Sequence, residues 1–221
     1  MATTAFTTWY DDVMPYVPGC PLPLALQKIR QAAIEYCRVS RTWRYLGLGP
    51  IDLVAGQQTY VIGTGAGVGS LPTEVVVVHV YQANYNDVPL DVLTPSQFRA
   101  KSETWFDDAG EPEAFTLFNE GEISLWRVPE STEADALELP ELALAPTQTA
   151  AGVDERVYQF AREAIAKGAR GLLLQIPKYP YSDPNLGMKL WQDFQIEAGG
   201  ADLRASSGRG HARIRTRTIS R

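Results

Sequence analysis

Apolar residues between Val153 and Ile176 recur at steps of three and four. Val153, Val157, Phe160, Ala161, Ala164, Ile165, Gly168, Ala169, Leu172, Leu173 and Ile176 make one stripe on a helix of about six turns at ~3.6 residues per turn. Asp154 and Glu155 stand at its start, where the positive helix end favours acids. Pro177 and Pro180 forbid continuation. Asp183 followed by Pro184 then sets a cap residue and a proline at the first position of a second helix. That helix carries Leu186, Leu190, Phe194 and Ile196. Gly199-Gly200 is expected to loosen or end it, because glycine costs ~1 kcal/mol against alanine inside a helix. The first helix has a small-residue notch at Ala164, Gly168, Ala169 and Gly171. A notch of this kind admits another backbone, either the second helix of the hairpin or a helix of another subunit.

The pattern before this hairpin falls into two parts. Residues 3–17 predict a short helix with Phe6, Trp9, Tyr10, Val13 and Met14 on one side. A longer helix follows from about Leu22 to Tyr45, its apolar face formed by Leu22, Leu26, Ile29, Ala33, Tyr36 and Cys37. Gly47 and Gly49-Pro50 stop it. From Ile51 the period becomes two. Ile51-Leu53 and Thr59–Ile62 read as strands around a turn at Ala55-Gly56. Glu74 to Tyr81 is a strand of continuous valines, and Val88 to Leu93 returns after a turn at Asn84–Asp87. Thr94-Pro95 opens a short helix. Ala114–Phe118 and Glu122–Val128 flank a tight turn at Asn119-Glu120-Gly121. Leu137, Leu139, Leu142 and Leu144 give one more strand, placed at a sheet edge because Pro140 interrupts it. The expected fold is α+β. Residues 1–49 and 150–203 form a helical bundle, residues 50–149 an inserted, mainly antiparallel β block, and residues 204–221 an extended C-terminal arm.

Charge sharpens the last division. Residues 204–221 hold six arginines and no acid, so they carry +6, while the other 203 residues carry −12 of the net −6. Between Glu103 and Glu141 twelve acids face one base, Arg127. Such a body repels nucleic acid, and the arm suits an acidic partner. The arm is too polar and too rich in small residues to build a core, so by itself it is expected to be mobile. Its alternation places Arg213, Arg215 and Arg217 on one side of an extended strand and Ile214 on the other.

Chemistry is sparse. There are two histidines and two cysteines. His79 stands among the valines and reads as a core or interface histidine; His211 lies in the arm. Cys37, on an apolar helix face, reads as a small core residue, and with Cys20 the default is two free thiols in a reduced, cytoplasmic setting. The GTGAGVGS stretch at 63–70 lacks the lysine of a phosphate loop and its spacing. No metal-ligand spacing, nucleophile elbow or zinc-protease helix occurs in the sequence. The expectation is a protein that is not an enzyme, with no cofactor and no metal. No apolar run approaches the ~20 residues of a membrane helix, and the first residues lack the basic start and apolar stretch of a secretory signal.

Four stretches in order carry a family likeness: FTTWYDDVMPYVPGCP at 6–21; ALQKIRQAAIEYCRVSRTWRY at 25–45; the sheet segments GQQTYVI, LPTEVVVVHV and GEPEAFTLFNEGEISLWRVPES; and FAREAIAKGARGLLLQIPKYPYSDPNLGMKLWQDF at 160–194. Together they cover most of the chain, which resembles the head-to-tail connector, or adaptor, proteins of short-tailed and related tailed bacteriophages. The resemblance implies a structural virion protein, made in the host cytoplasm and placed in the neck. It implies a ring, usually of twelve copies, bound to the portal protein above and to a downstream tail or nozzle protein below. Genomic DNA would pass through the lumen without specific binding, and no membrane is involved. The arm residues Arg204, Arg209, Arg213, Ile214, Arg215, Arg217, Ile219 and Arg221 would contact the portal, and Ala164, Gly168, Ala169 and Gly171 a neighbouring subunit. The alternative from another class is a nucleic-acid-binding protein that uses the basic tail.

Overall fold

The computed structural model describes residues 3–62, 71–101 and 108–207. In chain order, strand β1 (Thr3–Ala5) leads into a helical segment made of the short turns Phe6–Trp9 and Met14–Tyr16 around α1 (Tyr10–Val13). Helix α2 (Leu22–Ser40) follows, then β2 (Arg44–Leu46), β3 (Ile51–Leu53), β4 (Thr59–Val61), β5 (Val75–Tyr85), β6 (Val88–Pro89) and β7 (Asp91–Val92). After α3 (Pro95–Ala100) come β8 (Ala114–Thr116), β9 (Glu122–Trp126), β10 (Glu133–Pro146) and β11 (Gly152–Asp154). The last elements are α4 (Glu155–Leu174) and α5 (Pro184–Ser207). The fold is α+β with mainly antiparallel sheets.

The two ends of the chain close on each other. β1 pairs antiparallel with β11, Thr4 opposite Val153, and Phe6 N–H donates to Ala151 O at 3.1 Å. An added Cβ at Gly152 would stand 2.2 Å from Thr4 O, so only glycine allows this approach. Next to the strand pair, Trp9 is fully buried; its indole N–H donates to Arg162 O at 3.0 Å and its ring meets Tyr158 edge-on at 4.8 Å. Helices α2, α4 and α5 pack on one another, and α2 also lies on β10. One continuous apolar core therefore runs from Phe6 and Ile29 in the helical layer through Leu142 and Val80 in the sheet to Leu125 beyond it.

The β block is two sheets. In the five-stranded sheet β10 pairs with β5 on one side and with both β2 and β3 on the other, and β6 closes the β5 edge. In the second sheet the order is β4-β9-β8-β7, its last pair parallel. Several expectations change here. β10 is central, not an edge strand. Pro140 falls between the span paired with β3, which ends at Leu137, and the span paired with β2, which begins at Glu141, so its missing N–H meets a gap. Toward β5 the register shifts between Glu138 and Glu141, a bulge that absorbs the proline. β3 and β4 do not form a hairpin with each other; they join different sheets. Helix α2 stops at Ser40 because Arg41 adopts a left-handed conformation (φ 49°), which frees Arg44–Leu46 to become a strand. Strand pairing thus reaches back to residue 44, inside the span assigned to the helical part. The β5–β6 turn sits one step later than expected, with Asn86 and Asp87 both at positive φ, the geometry of a two-residue hairpin turn.

Candidate interaction surfaces

Helix α4 begins at a built cap. The Asp154 side chain accepts from Arg156 N–H at 2.8 Å, which satisfies one of the helix's first free donors. From there the stripe buries Val157, Ala161, Ile165, Ala169 and Leu173. Phe160, included in the stripe by spacing, points outward and is 69% exposed. The small-residue notch is filled from within the chain. An added Cβ at Gly168 would lie 2.8 Å from the Phe194 ring, and one at Gly171 would lie 3.0 Å from Trp191 N and 3.1 Å from Gly187 O. Ala164 and Ala169 are buried beside them. So Gly168 and Gly171 seat α5 of the same chain, and Ala164 and Ala169 are buried within the chain. The close approach needs Gly187 as well, where a Cβ would meet Gly171 O at 2.9 Å.

The arm begins later than its composition suggests. Helix α5 continues through Gly199-Gly200 to Ser207, carrying Arg204 in its last turn. Phe194, Ala198 and Ala201 are buried on its inner face, and that packing outweighs a propensity cost of ~1 kcal/mol per glycine. Arg204 is exposed on a helix, and the backbone of Ser206 and Ser207 is helical. Arg209, Arg213, Ile214, Arg215, Arg217, Ile219 and Arg221 lie outside the described residues.

A polar cluster on the sheet lies within electrostatic reach of the end of α5. His79 of β5 is half-buried, its ring edge-on to Tyr81 at 4.7 Å. Burial lowers its pKa, Arg41 adds to the lowering, and Asp202 of α5 opposes both. Tyr81 donates to Arg41 O at 3.2 Å, and Arg44 sits 4.5 Å over the Tyr81 ring while pairing with Glu141. The Tyr81 hydrogen bond ties the end of α2 to the sheet. Burial pushes the Cys37 thiol up to about 12, so it stays protonated and unreactive.

Three of the grooves on the described surface bear on binding. The first, of about 600 Å³, lies between α1 and α4 and holds its own cations: Arg162 in a bidentate pair with Asp12 at 2.6 and 2.8 Å, and Arg170 4.4 Å over the Tyr16 ring. The second, of about 700 Å³, lies beside Trp43 and Leu46. Its two carboxylates are engaged, Glu74 by Ala151 N–H at 3.0 Å and Asp154 by the helix cap. The third, of about 550 Å³, lies where β6 and β7 end their sheets. Here Glu113 pairs with Arg127 at 2.6 Å. Glu133 stands next to it, accepting from Tyr85 at 3.1 and 3.0 Å, Asn86 at 3.1 Å and Ser131 at 2.8 Å. Those donors, Ser131 first, hold its carboxyl below the usual range. Tyr85 in turn is pushed up to about 12 by burial and by Glu133 and Glu111. The sequence announced this surface only as an excess of acids; its position depends on strand order. Among the described residues no group of histidine, cysteine and carboxylate side chains has the geometry to hold a metal ion, and no helix is long and apolar enough to cross a membrane.

A scan against protein-family models finds no match for this chain, and a search of curated proteins finds no significant one.

Proposed function

We propose that the protein is a structural subunit of a phage head-to-tail connector. It would form a ring, dodecameric by the family likeness, between the portal and a downstream tail or nozzle protein, with genomic DNA passing through the lumen. The observation that carries this reading is the closure of the two terminal helical segments into one body around an inserted sheet block. The motifs that resemble connectors lie at both ends of the chain, at 6–21, 25–45 and 160–194. The strand pair β1–β11 and the packing of α2, α4 and α5 bring those distant motifs together. The charge supports a conduit: an acidic body does not hold a sliding phosphate backbone.

Lateral contact in such a ring is heterologous, one face against a different face, repeated by rotation until it closes. It cannot use the notch, which α5 fills. The outward side of α5 offers Met188 and Ile196, both exposed, with open space over Gly199. Electron microscopy of the purified protein mixed with its portal tests the proposal. A closed ring seated on the portal is expected. A two-fold dimer, or no association with the portal at any concentration tried, would refute it.

A further inference from the structure

We propose that the acidic groove at the sheet edges is a docking site for the arginine-rich residues 208–221 of the same chain. The groove is lined by Val88, Pro89, Asp91, Glu111, Glu113 and Arg127, among others. Glu113 is neutralised by Arg127. Asp91 and Glu111 are exposed, and no salt bridge to either exists among the described residues. Glu133, whose carboxylate accepts from Tyr85, Asn86 and Ser131, adds a third negative charge beside them. Val88 in the same lining is exposed, as is Val92, which follows Asp91 in β7. Among the described residues β6 and β7 stand at the ends of their sheets, and although Pro89 has no N–H to offer, the short β7 edge remains for an added strand.

The segment matches this surface in kind. It carries Arg209, Arg213, Arg215, Arg217 and Arg221 and no acid. In an extended strand Arg213, Arg215 and Arg217 face the carboxylates while Ile214 and the threonines turn toward the valines. The other two grooves fit it less well: one holds Arg162 and Arg170, and the other has its carboxylates engaged by backbone N–H groups.

Reach decides between this chain and a second copy. Asp202 of α5 lies close enough to His79 and Tyr81 of β5 to act on their charge. From His79 to Tyr85, at the groove, is six residues along β5, about 20 Å at ~3.3 Å each. From Ser207 the chain extends to about 20 Å at Arg213 and about 33 Å at Arg217. Docking within one chain therefore has an effective concentration of order millimolar, above that of any second copy in dilute solution. A docked segment is unavailable to other partners, so an acidic partner has to displace it. This inference does not depend on that partner being a portal.

The test uses trypsin cleavage after Arg213, Arg215 and Arg217 in the full-length protein, with a peptide of residues 208–221 as the reference for protease activity. At low salt the wild type is expected to be cut about fivefold more slowly than an Asp91→Asn/Glu111→Gln variant, from the loss of two surface ion pairs. The difference should vanish near 1 M salt, where the screening length falls to about 3 Å. Both side chains are exposed, so melting temperature should not change; should the variant melt lower, the salt series on the wild type decides alone. Equal cleavage of wild type and variant at low salt, or a wild type insensitive to salt, overturns the proposal. Protection that grows with protein concentration also overturns it, in favour of docking between copies.

Discussion

At the scale of single residues the glycines separate into those that touch something and those that do not. At Gly168 a methyl group would strike the Phe194 ring at 2.8 Å, whereas at Gly199 nothing lies within 4 Å. Gly168→Ala should therefore overpack the α4–α5 contact and lower stability by ~1–3 kcal/mol. Gly199→Ala should raise it by ~0.5–1 kcal/mol, through helix propensity and a less flexible unfolded chain. Urea denaturation of the two variants checks this, and changes of the same sign at both sites would contradict the packing described. His79 gives a pH prediction. Its folded pKa lies below the free value of ~6.5, lowered by burial and then by Arg41. The unfolded chain then binds the proton more readily, so the contribution to stability is complete above that pH and is lost as pH falls through the folded pKa. Asp202, the acid facing it, tempers the effect. A His79→Gln variant should show a flatter loss of stability below about pH 6.5 than the wild type, read by urea melts across that range. Parallel profiles would mean that the ring is already free to protonate in the fold.

Elements follow local signals where the signal is complete within a few residues. Thr94-Pro95 does start a helix, with Thr94 and Gln97 capping each other reciprocally. Asn119–Gly121 does turn a hairpin, β8 on β9. Asp154 was legible as an acid at a helix start, and the structure makes it a 95%-buried cap. Asp154→Ala should cost ~1–2 kcal/mol, because Arg156 N–H at the start of α4 loses its acceptor, while Asp154→Asn should keep most of the stability. Thermal melts of the pair decide it; an Asn variant as unstable as the Ala variant would point to the charge instead of the hydrogen bond. Elements that depend on partners were not legible. Pro140 is a reason to place a strand at an edge only when both sides of that strand are paired continuously. In β10 the neighbour changes from β3 to β2 at that residue, which no local pattern encodes. Likewise Gly199-Gly200 reads as a stop until the burial of Phe194, Ala198 and Ala201 is known.

For the whole molecule, the order helices, strands, helices could be read from periodicity alone, because each switch of period is local. The closure of the ends could not, since β1 meets β11 across some 150 residues with three backbone partners on each strand. Of the interaction surfaces, the basic segment was legible as composition. The notch was legible as shape but not as to what fills it, and the acidic sheet edge only as a charge count. The last prediction concerns that basic segment. The inner face of α5 buries a core side chain at Ala201, and among the described residues no core residue follows it. Removing residues 208–221 therefore takes away no described core contact, and the edge-groove ion pairs, if lost, are surface pairs worth ~0–1 kcal/mol in the aggregate sense of a median. The truncated chain should melt within a few degrees of the full-length protein. Under the connector proposal it should nevertheless lose most of its affinity for the portal, because five of the six arginines in residues 204–221 go with the deletion, and charge-assisted contacts to carboxylates are the ones such a segment can make. Removing Arg204 alone, by Arg204→Gln, should have a much smaller effect, since it stands exposed on the last turn of α5. Sedimentation or native mass measurement of each form with the portal separates the cases. Portal binding by the truncated protein at full-length affinity would place the contact on the folded body and remove the docking role from the arm.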